Sequence, residues 1–243
     1  MPICDQRSVI ITGAGGGLGR AYALAFAAEG ARVVVNDIRL EAAQAVVSEV
    51  QAAGGEAMAN SGDITTMAGA QSIVDAAVAA YGEVHVLVNN AGILRDRMFI
   101  SLSEDDWDQV MRVHLKGHFC LANILGRRWR DAAKAGNKIE ARIINTSSGA
   151  GLQGSIGQSN YSAAKGGIAA LTLVQAAEMA RYGITVELLP SEGSSANLEL
   201  LRTGRARDVA DAVSIVRGAR PSIVLHDVHL QVIAAAAAQE TVA

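Results

Sequence analysis

The chain has 243 residues, of which half are hydrophobic and 19% are charged, as expected for a globular protein with one core. Its formal net charge of -3 argues against a nucleic-acid-binding protein, which would need a basic stripe. Cys4 and Cys120 have neither metal-ligand spacing nor a disulfide framework, which suits the reducing cytoplasm. Because no signal peptide or membrane-spanning segment is visible, we expect a cytoplasmic protein that binds no membrane.

Short β-branched segments alternate with longer alanine-rich segments. The pattern predicts strands at 8–12, 32–36, 56–60, 84–89, 142–146, 184–189 and, more weakly, 228–233. It predicts helices at 17–29, 40–53, 66–81, 104–134, 159–181 and 206–217, with a capping box in Ser103–Asp106. Apolar strands alternating with helices indicate a parallel sheet covered on both faces. We therefore predict an α/β fold, a single doubly wound domain over residues 1–243 with about seven strands.

A glycine-rich turn, TGAGGGLGR, follows the first strand and opens the first helix. Gly13, Gly17 and Gly19 would permit a tight turn and the close approach of a pyrophosphate. The helix N-terminus offers free N–H groups and a favourable dipole. This turn, including Leu18, is therefore predicted to bind a dinucleotide.

Asp37 follows the second strand, 18 residues after Gly19. A carboxylate there can accept hydrogen bonds from both hydroxyls of an adenosine ribose and would repel a 2′-phosphate. Arg39 lies close enough to accommodate that phosphate instead, and Asp37 could also be a loop aspartate that caps the next helix. We expect NAD as the cofactor, with NADP second.

Two further motifs follow the third and fourth strands. In SGDIT, Asp63 is placed to meet the adenine amino group, with Ile64 beside it. In NNAG, Asn90, Ala91 and Gly92 would let the backbone approach the cofactor. Either motif alone could be only a turn, but positions after successive strands favour one shared site.

Ser148, Tyr161 and Lys165 are the candidate catalytic residues. Ser148 follows the fifth strand, and a glycine-rich loop separates it from Tyr161. Tyr161 and Lys165 are four residues apart, so they share one face of a helix. A tyrosine with its ordinary pKa of about 10 is a poor base at neutral pH. A neighbouring lysine cation and the positive nicotinamide of NAD⁺ would lower that pKa into a useful range.

Together, TGAGGGLG, NNAG, the serine and YSAAK resemble the short-chain dehydrogenase/reductase family over roughly residues 7 to 190. The resemblance implies a three-layer Rossmann fold and hydride transfer between a nicotinamide and a carbinol or carbonyl carbon. It implies that Tyr161 is the general acid/base and that Ser148 holds the substrate oxygen. Lys165 would bind the nicotinamide ribose and lower the tyrosine pKa.

Two segments, NNAGILRDRMF and WDQVMRVHLKGHF, are most similar to the 3-hydroxyacyl-CoA dehydrogenase domains of multifunctional enzymes and their bacterial relatives. This similarity implies an acyl-CoA thioester as the first substrate class and a steroid or other cyclic alcohol as the second.

His114 is the first departure from the family pattern, since most relatives carry an asparagine there that holds a water in the proton relay. Two interpretations stay open. A functional His114 would hydrogen-bond the relay water and add a pH dependence near ~6.5. Otherwise His114 is a buried histidine satisfied by a backbone carbonyl.

The second departure follows the sixth strand. Pro190 matches the family's cofactor-binding proline, but Ser191 and Glu192 separate it from Gly193. The last predicted helix arrives early, so the substrate loop near 190–205 is shortened. Ser194 or Ser195 could replace the threonine that holds the nicotinamide amide.

The short loop raises a second function, a weakly active or inactive cofactor-binding subunit that acts through a partner. Family members commonly associate through the two long helices, here 104–134 and 159–181, and the last strand. We expect a homodimer or homotetramer, or a hetero-oligomer with a related subunit. Gly117, Gly166 and Gly167 would permit close helix packing.

Overall fold

The computed structural model describes residues 4–191, which form one parallel sheet covered by helices. Its strands are β1 (Ser8–Thr12), β2 (Arg32–Asn36), β3 (Glu56–Asn60), β4 (Val86–Asn89), β5 (Ala141–Ser148) and β6 (Ile184–Ser191). They lie in the order β3-β2-β1-β4-β5-β6, with every neighbouring pair parallel. The predicted doubly wound α/β fold is confirmed. The predicted strand at 228–233 and helix at 206–217 lie outside the described residues.

The helices are α1 (Gly17–Ala28), α2 (Leu40–Ala52), α3 (Met67–Tyr81), α4 (Glu104–Met111), α5 (Gly117–Lys134), α6 (Ala150–Gln153) and α7 (Ser159–Met179). Short 3₁₀ turns occupy Phe99–Ser101 and Ala180–Tyr182. Within residues 4–191, no helix combines the length and the apolar character needed to cross a bilayer.

The strands are apolar on both sides because each face of the sheet meets helices. Val9 and Ile11 of β1 belong to a core cluster with Tyr22 and Phe26 of α1. Ile10, which points to the opposite face, belongs to a second cluster that includes residues of α3 and α5. Successive strand residues thus supply two separate cores, which explains the continuous apolar runs in the sequence.

The strand order reverses between β1 and β4. The chain builds β1, β2 and β3 outward in one direction, then crosses back to place β4 on the other side of β1. Connections that leave neighbouring strands in opposite directions open a crevice at the carboxyl ends of those strands. The glycine-rich turn after β1 and NNAG after β4 both lie at this crevice.

The predicted helix at 104–134 has the expected ends, Glu104 and Lys134, but it is not α-helical throughout. It begins as expected, with the Ser103 hydroxyl accepting a hydrogen bond from the Asp106 amide at 3.1 Å. A π-helical turn at Arg112–Lys116 then separates α4 from α5. A π-turn accommodates one extra residue per turn and shifts the side chains around it, and it often marks a functional site. Here it contains His114.

Candidate active site

The glycine-rich turn after β1 leaves no room for a side chain at Gly13 or Gly19. Gly13 adopts a positive φ of 61°, and a Cβ added there would lie 2.7 Å from the Ala91 Cα. A Cβ on Gly19 would meet the Gly13 carbonyl oxygen. Glycine is therefore required for close backbone approach at both positions.

The N-terminus of α1 is free to bind an anion. Its N-cap, Gly16, provides no side-chain hydrogen bond, and the first turn carries no acidic residue. The first N–H groups of a helix otherwise need a partner, and the helix dipole favours a negative one. An uncapped helix end beside a turn without side chains fits the pyrophosphate of a dinucleotide. Leu18, within the same turn, packs against the first core cluster.

Thr12, at the end of β1, holds NNAG against the glycine-rich turn. Its hydroxyl oxygen accepts hydrogen bonds from the amides of Asn90 and Ala91, both at 3.0 Å. The Asn90 side chain donates in return to the carbonyl of Thr12 at 3.0 Å and that of Gly13 at 3.3 Å. Sequence reasoning missed Thr12 because a threonine that ends a strand has no distinguishing pattern.

Asp37 lies against the glycine-rich turn and is almost fully buried. One carboxylate oxygen accepts the Gly15 amide at 3.1 Å, and the other accepts the Arg39 amide at 3.0 Å. The Arg39 guanidinium lies 3.4 Å from the second oxygen, and its side chain is 70% exposed. The structure thus places a buried carboxylate and an exposed arginine side by side at the glycine-rich turn.

Asp63 and Ile64 occupy different environments after β3. Asp63 is exposed, and its carboxylate accepts the Thr65 amide at 2.8 Å, so the residue does form a turn. The Ile64 side chain is buried, and a Cβ on Gly117 would lie 2.8 Å from its Cδ1 atom. The Ile64 side chain therefore belongs to the core.

Lys165 is a buried cation. Its side chain is 2% exposed, and Nζ donates a hydrogen bond to the Thr146 carbonyl at 2.6 Å. Burial lowers the lysine pKa to about 7, because a low-dielectric surrounding disfavours the charged form. Nζ lies 5.6 Å from the ring centroid of Tyr161, so the predicted pair does share one face of α7.

His114 packs against the same tyrosine. The two ring centroids are 5.2 Å apart and the rings meet edge to face at 89°. His114 Nε2 lies 2.8 Å from the Ile93 carbonyl oxygen, whereas Nδ1 has no partner among residues 4–191. A Cβ on Gly92 would collide with the imidazole, so Gly92 makes room for it.

The charge state of His114 differs from the sequence expectation. Burial, together with the positive charge of Lys165, lowers the histidine pKa to about 3. The expected pH dependence near ~6.5 is therefore wrong, because the imidazole stays neutral throughout that range. The carbonyl bond predicted by the second interpretation is present, and the unpaired Nδ1 keeps the first one open.

Ser148 ends β5, the strand whose Thr146 carbonyl binds Lys165. It is buried, and its hydroxyl accepts the Ala150 amide at 3.3 Å. The neighbouring Ser147 hydroxyl donates to the backbone carbonyl of Lys165 at 3.1 Å. The structure therefore gathers Tyr161, Lys165 and His114 beside the end of the strand that carries Ser148.

Asn160 fixes the start of α7 and was not predicted. Its side-chain amide is fully buried and donates to the carbonyls of Arg95 at 3.1 Å and Asp106 at 3.2 Å. Its carbonyl oxygen accepts the Tyr161 amide at 2.8 Å. An asparagine beside the tyrosine motif carries no spacing signal, because its partners are remote in sequence.

The remaining predicted positions are placed as follows. Pro190 lies in β6, paired in register with Ser147, whereas residues 192–205 lie outside the described part of the chain. No group of three or more His, Cys, Asp or Glu side chains suited to a metal occurs within residues 4–191. Gly117, Gly166 and Gly167 have close neighbours within the chain, at Ile64, Gly151 and Leu115 respectively.

The family model described as short chain dehydrogenase matches residues 7–194. This chain belongs to the short-chain dehydrogenase family. The match includes the glycine-rich turn, NNAG and the Ser148, Tyr161 and Lys165 positions.

Two curated relatives are similar to this short-chain dehydrogenase. Hydroxyacyl-CoA dehydrogenase ChsB1 from Mycobacterium tuberculosis is 47% identical over 188 residues, which cover 74% of this chain and 59% of the relative. Peroxisomal multifunctional enzyme type 2 from Mus musculus is 44% identical over 200 residues, covering 78% of this chain and 26% of the relative. The chain thus spans less than two thirds of either relative.

Two solved structures share the fold. A short chain dehydrogenase from Mycobacterium avium has a TM-score of 0.75 and 58% identity, covering 76% of this chain and 70% of its own. A metagenomic short-chain oxidoreductase in complex with NADP has a TM-score of 0.76 and 29% identity, with coverages of 90% and 93%.

A neutral buried His114 makes a prediction about stability against pH. The unfolded histidine binds a proton below pH ~6.5, whereas the folded one stays neutral down to about 3, so falling pH favours unfolding. The free energy of unfolding should therefore fall less steeply with pH in His114→Asn. The slope should be smaller by about one bound proton, or ~1.4 kcal/mol per pH unit. Urea unfolding at several pH values between ~5 and ~6.5 measures the slope. Equal slopes in the variant and the wild type would contradict a neutral His114.

Proposed function

We propose that the chain is an NAD(H)-dependent oxidoreductase that interconverts a secondary alcohol and a ketone. The observation that carries the proposal is the pairing of Tyr161 with the buried ammonium of Lys165, beside the end of β5. The uncapped α1 and its glycine-rich turn, which fit a pyrophosphate, lie along the same edge of the sheet. A proton-transfer group and a dinucleotide site at one edge suit an alcohol dehydrogenase.

The bound nicotinamide would supply the hydride acceptor or donor. Gly13, Gly17 and Gly19 would hold its pyrophosphate, and Asp37 would hold the adenosine ribose. Tyr161 and Lys165 would meet the nicotinamide ribose. These roles would use backbone N–H groups, a carboxylate and two side chains.

The proton is handled by the chain's own residues. During oxidation, Tyr161 as phenolate takes the proton of the substrate hydroxyl, and during reduction the phenol returns it. The Lys165 charge favours the phenolate, and burial strengthens this effect because water does not screen it. The Ser148 hydroxyl hydrogen-bonds the substrate oxygen and orients it toward Tyr161.

His114 serves as a neutral hydrogen-bonding group beside the tyrosine. Nε2 lies 2.8 Å from the Ile93 carbonyl oxygen and also 3.0 Å from the Ile93 amide nitrogen, so Nδ1 is an acceptor when Nε2 donates to the carbonyl and a donor when Nε2 accepts from the amide. In either tautomer the buried Nδ1, which has no partner among residues 4–191, would bind the relay water that an asparagine holds in most relatives.

The substrate class proposed first is a 3-hydroxyacyl-CoA thioester, and a steroid or other cyclic alcohol is second. The name of one relative, hydroxyacyl-CoA dehydrogenase ChsB1, supports the first class. The loops that flank the site also expose large apolar side chains, namely Met98, Phe99 and Ile100 after β4 and Ile156 before α7. Such a rim suits an acyl chain or a ring system better than a small polar alcohol.

The alternative is a cofactor-binding subunit that is weakly active or inactive and works through association. It is favoured by exposed apolar side chains on the two long helices, Phe119 of α5 with Leu173 and Val174 of α7. Such a surface fits a homodimer, a homotetramer or a pairing with a related subunit. The cytoplasmic location stays a prediction, since one relative is named as peroxisomal.

Tyr161→Phe tests the proposed base. Turnover of 3-hydroxyacyl-CoA, followed by nicotinamide absorbance, should fall by about 10²- to 10⁴-fold because the proton acceptor is lost. NADH binding should be nearly unchanged. Tyr182→Phe, which removes a phenol hydroxyl at the opposite end of α7, is the matched control and should retain full activity. Equal activity in both variants would overturn the assignment.

Asp37→Ala tests the cofactor preference. The loss of the carboxylate should weaken NADH by about tenfold and remove the repulsion of a 2′-phosphate, so the ratio of the NADH and NADPH dissociation constants shifts toward NADPH. Fluorescence titration with both nucleotides measures the ratio. Arg39→Ala is the control, and it should instead weaken NADPH. An unchanged ratio in Asp37→Ala would mean that Asp37 does not read the ribose.

A further inference from the structure

A chain of buried side-chain amides runs from β4 through β5 to α7, beyond the groups assigned to catalysis. The Asn89 amide donates to the Asn145 carbonyl oxygen at 2.9 Å. The Asn145 amide donates to the Thr172 hydroxyl at 2.9 Å and to the Gln175 carbonyl oxygen at 3.0 Å. All four side chains are buried, and Asn145 and Thr172 are 0% exposed.

The Asn145 side chain has no freedom left in this arrangement. Both of its N–H groups donate to α7 and its oxygen accepts from β4, so the orientation of the amide is determined. The Thr172 hydroxyl in turn donates a hydrogen bond to the Ile168 carbonyl at 2.8 Å. A rotation or shift of α7 would leave several buried polar groups unpaired, which is costly in a protein interior.

Polar side chains make up most of the fully buried face of α7. The buried residues of α7 are Asn160, Ala164, Lys165, Ile168, Thr172 and Gln175, of which only two are apolar. Ala176 and Met179 pack, partly buried, against the second core cluster, whereas Leu173 and Val174 are 56% and 53% exposed. Because the fully buried face is mainly polar, its hydrogen bonds add orientation-specific constraints to this apolar packing.

We propose that Asn145 is a positioning residue that fixes the rotation of α7 on β5 and so presents Lys165 and Tyr161 to the site. Thr172 follows Lys165 by two helical turns, so the two residues share one face of the helix. Asn145 also directly precedes Thr146, whose carbonyl binds the lysine ammonium. The network holds one end of this face while the ammonium bond completes the other.

The rate at which Lys165 reacts with an amine reagent tests the positioning of α7 and does not require the protein to be an active enzyme. The chain has four lysines, of which Lys116, Lys134 and Lys138 are exposed and serve as internal standards. In the wild type, an amine-specific reagent should modify Lys165 far more slowly than the other three, as followed by peptide mass spectrometry. Thr172→Val and Asn145→Leu should speed the Lys165 reaction by on the order of tenfold or more, with the larger effect for Asn145→Leu.

General destabilisation is controlled by variants away from α7. Ile73 of α3 is buried in the second core cluster, so Ile73→Val and Ile73→Ala provide a graded loss of stability without touching the network. Each network variant is compared with the Ile73 variant whose unfolding midpoint is nearest to its own. Thr172→Val is close to isosteric and keeps the test available should Asn145→Leu not fold.

A second, kinetic experiment depends on the proposed function. With 3-hydroxyacyl-CoA and NAD⁺, kcat of Asn145→Leu should fall by about ten- to a hundredfold, because misplaced catalytic groups cost more than weakened binding. KM for NAD⁺ should rise by less than kcat falls, because the glycine-rich turn and Asp37 would still hold the rest of the cofactor. The pH profile of kcat should shift relative to the matched control.

The outcomes separate the two claims. Faster Lys165 modification in the network variants but not in their controls supports the positioning role, even if the wild type turns over none of the substrates. Absent wild-type turnover would count against the proposed function alone. Network variants in which Lys165 stays as protected as in the stability-matched controls would overturn the positioning role.

Discussion

The hydrogen bond from the buried Lys165 ammonium to the Thr146 carbonyl is the contact on which the rest of the site depends. An ammonium removed from water loses its hydration and needs a compensating partner. That partner belongs to β5, so the bond ties the face of α7 that carries Tyr161 and Lys165 to the sheet. Tyr161, one turn earlier, then lies beside His114 and the end of β5. Asn160 at the start of α7 and Thr172 farther along hold the same helix at both ends.

A separate set of contacts holds the side of the crevice formed by the glycine-rich turn and NNAG. As at Lys165, hydrogen bonds to the backbone join one element to another. Thr12 and Asn90 join the end of β1 to the end of β4 through paired hydrogen bonds. Their side chains are used within the protein, which leaves the glycine backbone and the α1 N-terminus to meet a ligand. On both sides of the crevice, side chains that touch no substrate thus position the groups that would. The π-turn at His114 lies between the two sides and is kept open by Gly92.

Much of this arrangement is predictable from local pattern. The limits of β1, β2 and β3 agree with the sequence prediction, because strand ends there coincide with polar and glycine residues. The glycine-rich turn and the Tyr161–Lys165 spacing also follow from local geometry. The π-turn does not, because an extra residue in a helix has no signature in a single sequence. Nor do the partners of Asn145 and Asn160, since a hydrogen bond between distant segments depends on strand register and helix rotation.

The ionisation of Lys165 tests the central claim most directly. With ¹³C-labelled lysine, the four side-chain resonances can be followed against pH by NMR, and Lys165→Met identifies the one in question. In the cofactor-free protein Lys165 should titrate near pH 7, since burial lowers its pKa to about 7. A Lys165 titration near pH ~10.4, the ordinary value of a lysine in water, would contradict a buried ammonium and the site built around it.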